Sequence, residues 1–228
     1  VDAFNPKYVA ICEGDDYWTD ENKLQKQVSY MDSNLDCVMC HGDYELTDGS
    51  KKRTPPHFDD EPYFGPGHLH TYHVSSLTTL YRYETYKKIP NYRNSHSWLM
   101  GDYPLWIELS KEGSFHYFPE VFGRYRIVPN SYSHSTDGER IKRFWNGTNE
   151  VTKFYSELYG YEYTGRPLKS LYFEIQKQCF NNRDKDQARK YWTEAKNNNA
   201  SDIKSFIYYF CNIHDLRWIV RAAYSLTH

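Results

Sequence analysis

The stretch VAICEGDDYWTD, Val9 to Asp20, sets an apolar run ahead of three carboxylates, Glu13, Asp15 and Asp16, with Tyr17 and Trp18 straight after. The run from Tyr8 to Cys12, ending at Gly14, reads as a buried strand followed by a loop. The next segment, TDENKLQKQVSYMDSN, carries Leu24, Val28 and Met31 at helical spacing. Thr19 and Asp20 stand where an N-cap belongs, and Asp20 and Glu21 suit the first turn, so a helix is predicted here. Strand, acidic turn and helix in this order open an α/β body. Carboxylates this close repel one another and resist ionisation unless a cation or hydrogen bonds neutralise them. A divalent cation resolves the conflict, and Mg²⁺ or Mn²⁺ suits hard oxygen ligands and shared substrate phosphates. The carboxyl end of a strand is also where open α/β sheets bind ligands. The plainer alternative makes Asp15 and Asp16 turn and capping residues ahead of the helix.

Outward from this stretch, CVMCHGDYEL reads as a strand running into a hairpin, and residues 47–72 as a long Pro/Gly/charged loop. Loops of that length in a compact domain are usually functional or mobile. SSLTTLYRY reads as a strand and ETYKKIPNYRNSHSW as a short helix and loop. In GDYPLWIELSKEG, Asp102 stands as N-cap and Gly113 as C-cap of a helix of about two turns. SFHYF and EVFGRYRIV read as two strands. From Asp137 onward the pattern is helical, over 137–160, 167–182, 184–197 and 201–224. The expected organisation is a mixed α/β portion, 1–136, followed by an α-helical extension, 137–228.

The 228 residues suffice for one substantial core plus an appendage. No run of ~18 apolar residues occurs, and VDAFNPKYVA lacks the basic and apolar regions of a signal peptide. A soluble, cytoplasmic protein is therefore expected. Five scattered cysteines, an odd number, favour reduced thiols over a disulfide framework, which makes the sequons at Asn146 and Asn199 chance matches. Residues 1–138 hold 13 Lys/Arg against 20 Asp/Glu, a net of −7, and residues 139–228 hold 15 against 10, a net of +5. The acidic part argues against a nucleic-acid ligand. The basic part suits peripheral contact with anionic lipid on the inner face of a membrane, or a merely solvated helical surface. With 23 Tyr, 12 Phe and 6 Trp the chain is rich in faces that stack on sugars, but the same rings pack ordinary cores, so enrichment alone decides nothing.

KYVAICEGDDYWTDENKLQKQVSYMDSNLDCVMCHGD resembles the part of family-2, GT-A-fold glycosyltransferases that runs from the strand before the acidic D-x-D motif through the next helix and strand. The likeness continues, in the family's order, through HVSSLTTLYRYETYKKI, SWLMGDYPLWIELSKEGSFHYFPE and VFGRYRIVPNSYSHS, and covers residues 6–135. It implies a GT-A-like fold, a Rossmann-like mixed sheet with flanking helices. It also implies inverting transfer of a sugar from a nucleotide-diphosphate donor to a glycan, lipid-linked or protein acceptor. Asp15 and Asp16 would lie by the diphosphate and a Mg²⁺ or Mn²⁺ ion, Asp16 as the direct ligand. Glu13, standing where many members have the first Asp, and His134 are further metal candidates. Asp102 matches the general base, and Arg126, with Arg124 as a lesser candidate, would face the diphosphate. Trp18, Tyr103 and Trp106 offer sugar-stacking faces, though the helical spacing of Trp106 favours the core.

The family carries further βα units ahead of this motif, and they grip the nucleotide base. Here the acidic motif begins at residue 13. The expectation is a chain that corresponds to the family's C-terminal part, binds nucleotide sugars poorly alone, and self-associates through an uncovered strand edge. Two rivals stand beside the enzyme. One is a carbohydrate-binding or adaptor module that uses the aromatic surface without chemistry. The other is a haem or metal protein built on CVMCH, Cys37 to His41, although residues three apart on a strand face opposite sides, so the two thiols would not converge.

Overall fold

The computed structural model describes residues 4–47, 52–53, 74–128, 135–162, 165–220 and 222. The chain divides into two compact units, Val1–Val128 with Val151–Tyr163, and Pro129–Glu150 with Thr164–His228. The sequence pattern puts the border at 136. In the structure the second half of the long helix Gly138–Tyr159 goes with the first unit, where the Tyr155 hydroxyl donates to the buried Glu108 at 2.6 Å.

The first unit is mixed α/β. Its strands are β1 (Tyr8–Ala10), β2 (Tyr17–Trp18), β3 (Cys37–Thr47), β4 (Lys52–Arg53), β5 (Leu80–Arg82) and β6 (Ser114–Arg126). The sheet order is β1-β5-β3-β6-β2, with β4 pairing β3 off this path. Only β3 and β6 run parallel; the other pairings are antiparallel. Helices α1 (Lys23–Ser33), α2 (Tyr83–Lys88) and α3 (Asp102–Leu109) belong to the same unit, and α4 is Gly138–Tyr159.

Three local differences from the sequence pattern have physical causes. Tyr8–Ala10 is an edge strand paired only with β5 and is half-buried. The apolar run thus seals a margin of the sheet rather than its centre. The two expected strands SFHYF and EVFGRYRIV are one, because Pro119 and Glu120 are accommodated as an irregularity between the pairs Gly42↔Phe118 and Asp43↔Val121. Helix α3 ends at Ser110, not at Gly113. Gly113 is required instead for close approach, since a Cβ there would lie 2.4 Å from the Asp36 carbonyl oxygen.

The most informative difference lies in α1, which starts at Lys23 behind Asn22. Asp20 does not cap it; its carboxylate accepts from the Asn22 N–H at 2.8 Å and pairs with Lys26 at 2.8 Å. The buried face is Lys23, Gln27 and Met31, while Leu24 is exposed. Both polar side chains are satisfied by backbone. Lys23 Nζ donates to Gln27 Oε1 at 2.7 Å and to the Thr79 carbonyl at 3.2 Å, and Gln27 Nε2 donates to the Thr78 carbonyl at 2.8 Å. The ammonium also lies 4.7 Å from the Trp18 ring.

The second unit is helical: the start of α4, then α5 (Leu168–Asn182), α6 (Lys185–Asn197) and α7 (Ile203–Ile213). Its core joins Leu171, Tyr172, Ile175 and Cys179 of α5 to Ala188, Tyr191 and Ala195 of α6. Asp184 and Asp202 cap α6 and α7 by accepting from the N–H groups of Gln187 and Ser205. Asn212 fastens α7 to the α5–α6 turn by donating to the carbonyls of Cys179 and Asp184, each at 3.2 Å. Among the described residues no helix is long and apolar enough to cross a membrane.

Burial lowers the Lys23 pKa to about 8, so its two hydrogen bonds do not offset the desolvation of the ammonium. The unfolded chain therefore binds more protons between pH 8 and the ordinary lysine value of 10.5, and this group's contribution to stability rises with pH across that window. Urea denaturation of wild type and Lys23→Met at pH 7 and pH 10.5 is expected to show the difference moving in favour of wild type at the higher pH. A difference independent of pH would contradict the assigned burial of charge.

Candidate functional site

The acidic turn leaves the end of β1 and returns to the sheet as β2. That geometry folds Asp16 inward, whereas Glu13 and Asp15 stay on the exposed side. Asp16 Oδ1 accepts from the Arg126 backbone N–H at 2.8 Å, at the last residue of β6. Asp16 Oδ2 is buried and has no hydrogen-bond partner among the described residues. Burial raises the Asp16 pKa, the nearby Asp15 charge adds to the rise, and the Arg126 N–H opposes it. Glu13, although an exposed residue overall, has its carboxyl raised first by withdrawal from water and then by the charges of Asp16 and Asp102. These four acids therefore form one electrostatic cluster.

Asp102 arrives from a different part of the chain, as the first residue of α3. Its Oδ1 accepts from the Tyr103 N–H at 2.8 Å and its Oδ2 from the Ser76 hydroxyl at 3.1 Å. Ser76 also acts on Glu13, where it opposes the rise of the carboxyl pKa. This serine sits in a 3-10 turn, Ser76–Thr78, directly before β5. It carried no signal in the sequence beyond lying in a segment that resembles the family, because a buried serine in SSLTT looks like any β-rich run. Gly14 and Gly101 flank the cluster, and among the described residues no atom lies within 4 Å of a Cβ built on either. Among the described residues, both glycines therefore border free space next to the acids.

The two arginines differ in use. Arg124 is engaged by Glu45 at 2.8 Å and by the Tyr17 hydroxyl at 3.1 Å. Arg126 is exposed, with its guanidinium 4.9 Å from the Tyr17 ring centre, and its charge favours the ionised form of Asp16. Of the proposed stacking faces, Trp18 donates its indole N–H to the Leu77 carbonyl at 2.9 Å and shields Lys23, and Trp106 is core. Both serve the fold. Tyr103 is half-buried, with its hydroxyl 3.2 Å from Thr152 Oγ1. His134 and most of the loop 47–72 lie outside the described residues.

CVMCH is an interior segment of β3. The expected separation of the two cysteines does not hold: the pairing register shifts between Cys37 and Met39, and both thiols join one apolar cluster with Met31 and Leu80. Burial pushes the Cys37 thiol up to about 11 and the Cys40 thiol higher still, and it lowers His41 to about 3. Protonated thiols are poor metal ligands. Among the described residues no group of three or more His, Cys, Asp or Glu side chains is arranged to hold a metal ion.

No family model matches the chain. Relatives similar to it include the uncharacterized proteins Mb1547 of Mycobacterium bovis and MT1570 and Rv1520 of Mycobacterium tuberculosis, each 29% identical over 148 residues. The match covers 64% of this chain and 41% of each relative, so the chain spans less than half the length of the curated relatives it matches.

A carboxylate whose folded pKa is raised destabilises the fold at neutral pH, because the folded state holds the proton more tightly than the unfolded one. That cost is absent below the ordinary aspartate value of 3.8 and appears as pH rises through the folded value. Asp16→Asn keeps an oxygen for the Arg126 N–H and removes the charge. The variant is expected to melt a few degrees (~2–4 °C) higher than wild type at pH 7, with the gain fading toward pH 3.8. Thermal melts across that range check it, and a destabilised variant at pH 7 would refute the reading of Asp16 as an uncompensated charge.

Proposed function

We propose that the chain is part of a metal-dependent, inverting glycosyltransferase with a GT-A-type sheet, acting from a nucleotide-diphosphate sugar on a glycan, lipid-linked or protein acceptor. The observation that carries this reading is the buried Asp16 Oδ2, without a partner among the described residues, within a cluster of four acids at a strand exit. The mixed sheet with flanking helices and the ordered likeness over residues 6–135 support it. A binding module that grips sugar with Trp18 and Trp106 is less favoured, since both rings are engaged within the fold.

The residues present fit a hard cation. Mg²⁺ is commonly held by one or two carboxylates and completed by water and substrate phosphates, which suits a site without three preassembled protein ligands. Asp16 would hold it, with Asp15 or Glu13 beside. A bound Mg²⁺ or Mn²⁺ supplies positive charge against the departing nucleoside diphosphate.

The chain's own residues supply the rest. Asp102 accepts the proton of the acceptor hydroxyl as its oxygen bonds to the anomeric carbon, and the bond to the diphosphate breaks with its electron pair leaving on the phosphate oxygen. Ser76 and the Tyr103 N–H orient Asp102. Arg126, exposed at the end of β6 and bonded through its N–H to Asp16, would meet the diphosphate.

Transfer from a panel of UDP-, GDP- and dTDP-sugars, assayed in the full-length protein, is expected to depend on Mg²⁺ or Mn²⁺ and to be abolished by EDTA. Asp102→Asn is expected to lower kcat by about 10²–10⁴-fold, and Asp16→Ala to weaken activation by the metal. Unchanged turnover in both variants would sink the proposal.

A further inference from the structure

Helix α7 of the second unit packs Tyr209, Cys211 and Ile213 inward yet leaves a second apolar stripe exposed. Its buried residues include Ser205, at 0% exposure, and Asn212, at 1%, whereas Ile203, Phe206, Ile207 and Phe210 are 74%, 43%, 44% and 40% exposed. Spacings of three, four and seven place these four side chains on one stripe. Trp218, 67% exposed, lies in a separate short helical stretch beyond the break at 214–216. An apolar stripe left in water by a helix that buries its polar residues calls for an occupant.

Charge identifies that occupant. On α6, Lys185, Arg189, Trp192 and Lys196 recur at spacings of three and four and so share one face. Trp192 reaches α7, its ring 5.5 Å from Phe206 and stacked 5.1 Å from Tyr209. A basic row therefore borders the apolar stripe across one tryptophan; Lys185 pairs with Asp215 at 2.6 Å and Arg189 with the exposed Asp186 at 3.1 Å, and the stretch 139–228 keeps a net charge of +5. Basic residues beside Trp, Phe and Ile on a short helix are the signature of a helix lying in a membrane interface. At 11 residues α7 is too short to span a bilayer.

We propose that the α7 face, bordered by the basic row of α6, docks the second unit on an anionic lipid bilayer, with Phe206, Ile207 and Phe210 entering the headgroup boundary. This inference rests on the second unit alone and does not depend on the chemistry of the carboxylate site.

Sedimentation of the purified chain with phosphatidylcholine vesicles, with and without phosphatidylglycerol, tests it. Binding is expected to be about tenfold stronger with the anionic lipid and to fall as salt rises. The double variants Ile207→Ser with Trp218→Ser, and Arg189→Glu with Lys196→Glu, are each expected to weaken it about tenfold with circular dichroism unchanged. The second pair alters only exposed side chains and serves if the first fails to fold. No vesicle binding, or equal binding to neutral and anionic vesicles, would overturn the proposal. So would a dimer in light scattering that the first variant dissolves without any lipid binding, since the occupant would then be a second copy.

Discussion

The first unit depends on a buried ammonium. Lys23, at 1% exposure, joins the start of α1 to the backbone just before β5, and Gln27 repeats the tie one turn later at Thr78. Together they fix the 3-10 turn that carries Ser76, and through Ser76 the position of Asp102. A leucine in place of Lys23 would bury more apolar surface, but it would leave the Thr79 carbonyl without this donor. An unmade buried hydrogen bond costs about 1–3 kcal/mol, comparable to the gain from burying one aliphatic side chain, about 1.5–3 kcal/mol. The polar solution is therefore energetically close to the apolar one, and it also specifies where the turn must sit.

That constraint explains what the sequence revealed and what it hid. The starts of α5, α6 and α7 were legible to within two residues, because Asp184 and Asp202 are local capping signals and the apolar periodicity of α5 and α6 agrees with them, but the helix expected over 201–224 stops at Ile213, just before Asp215 takes a left-handed backbone. In α1 periodicity misled. Leu24 and Val28 mark the apolar stripe, yet the helix turns Lys23 and Gln27 inward, a choice made by distant carbonyls that no local pattern encodes. The single strand β6 was hidden by Pro119, which normally interrupts a ladder but falls here where the register already slips.

The candidate site was legible in its acids and not in its connections. Glu13, Asp15 and Asp16 are adjacent in sequence, so their mutual repulsion could be read directly. That Asp102 and Ser76 complete the cluster is a tertiary fact, reached by sequence only through likeness to a family. The inward turn of Asp16 is tertiary as well, since it needs the Arg126 N–H, 110 residues away, as an acceptor-seeking anchor. A site whose carboxylates are held partly out of water, with one oxygen uncommitted, retains unfavourable electrostatics in the empty fold. Stability has been given up there in a way a purely structural turn would not require.

The irregularity at Pro119 and Glu120 gives β6 an unusual property as a ruler. From Phe115 to Phe118 the strand keeps step with Met39–Gly42 of β3; beyond the irregularity and a second slip at Asp43/Tyr44, the same strand delivers the Arg126 N–H to Asp16. Side chains alternate faces every residue along a strand. Losing one residue at the slip would transpose inside and outside for everything from Val121 to Arg126, and so it would be felt at the acids rather than at the lesion.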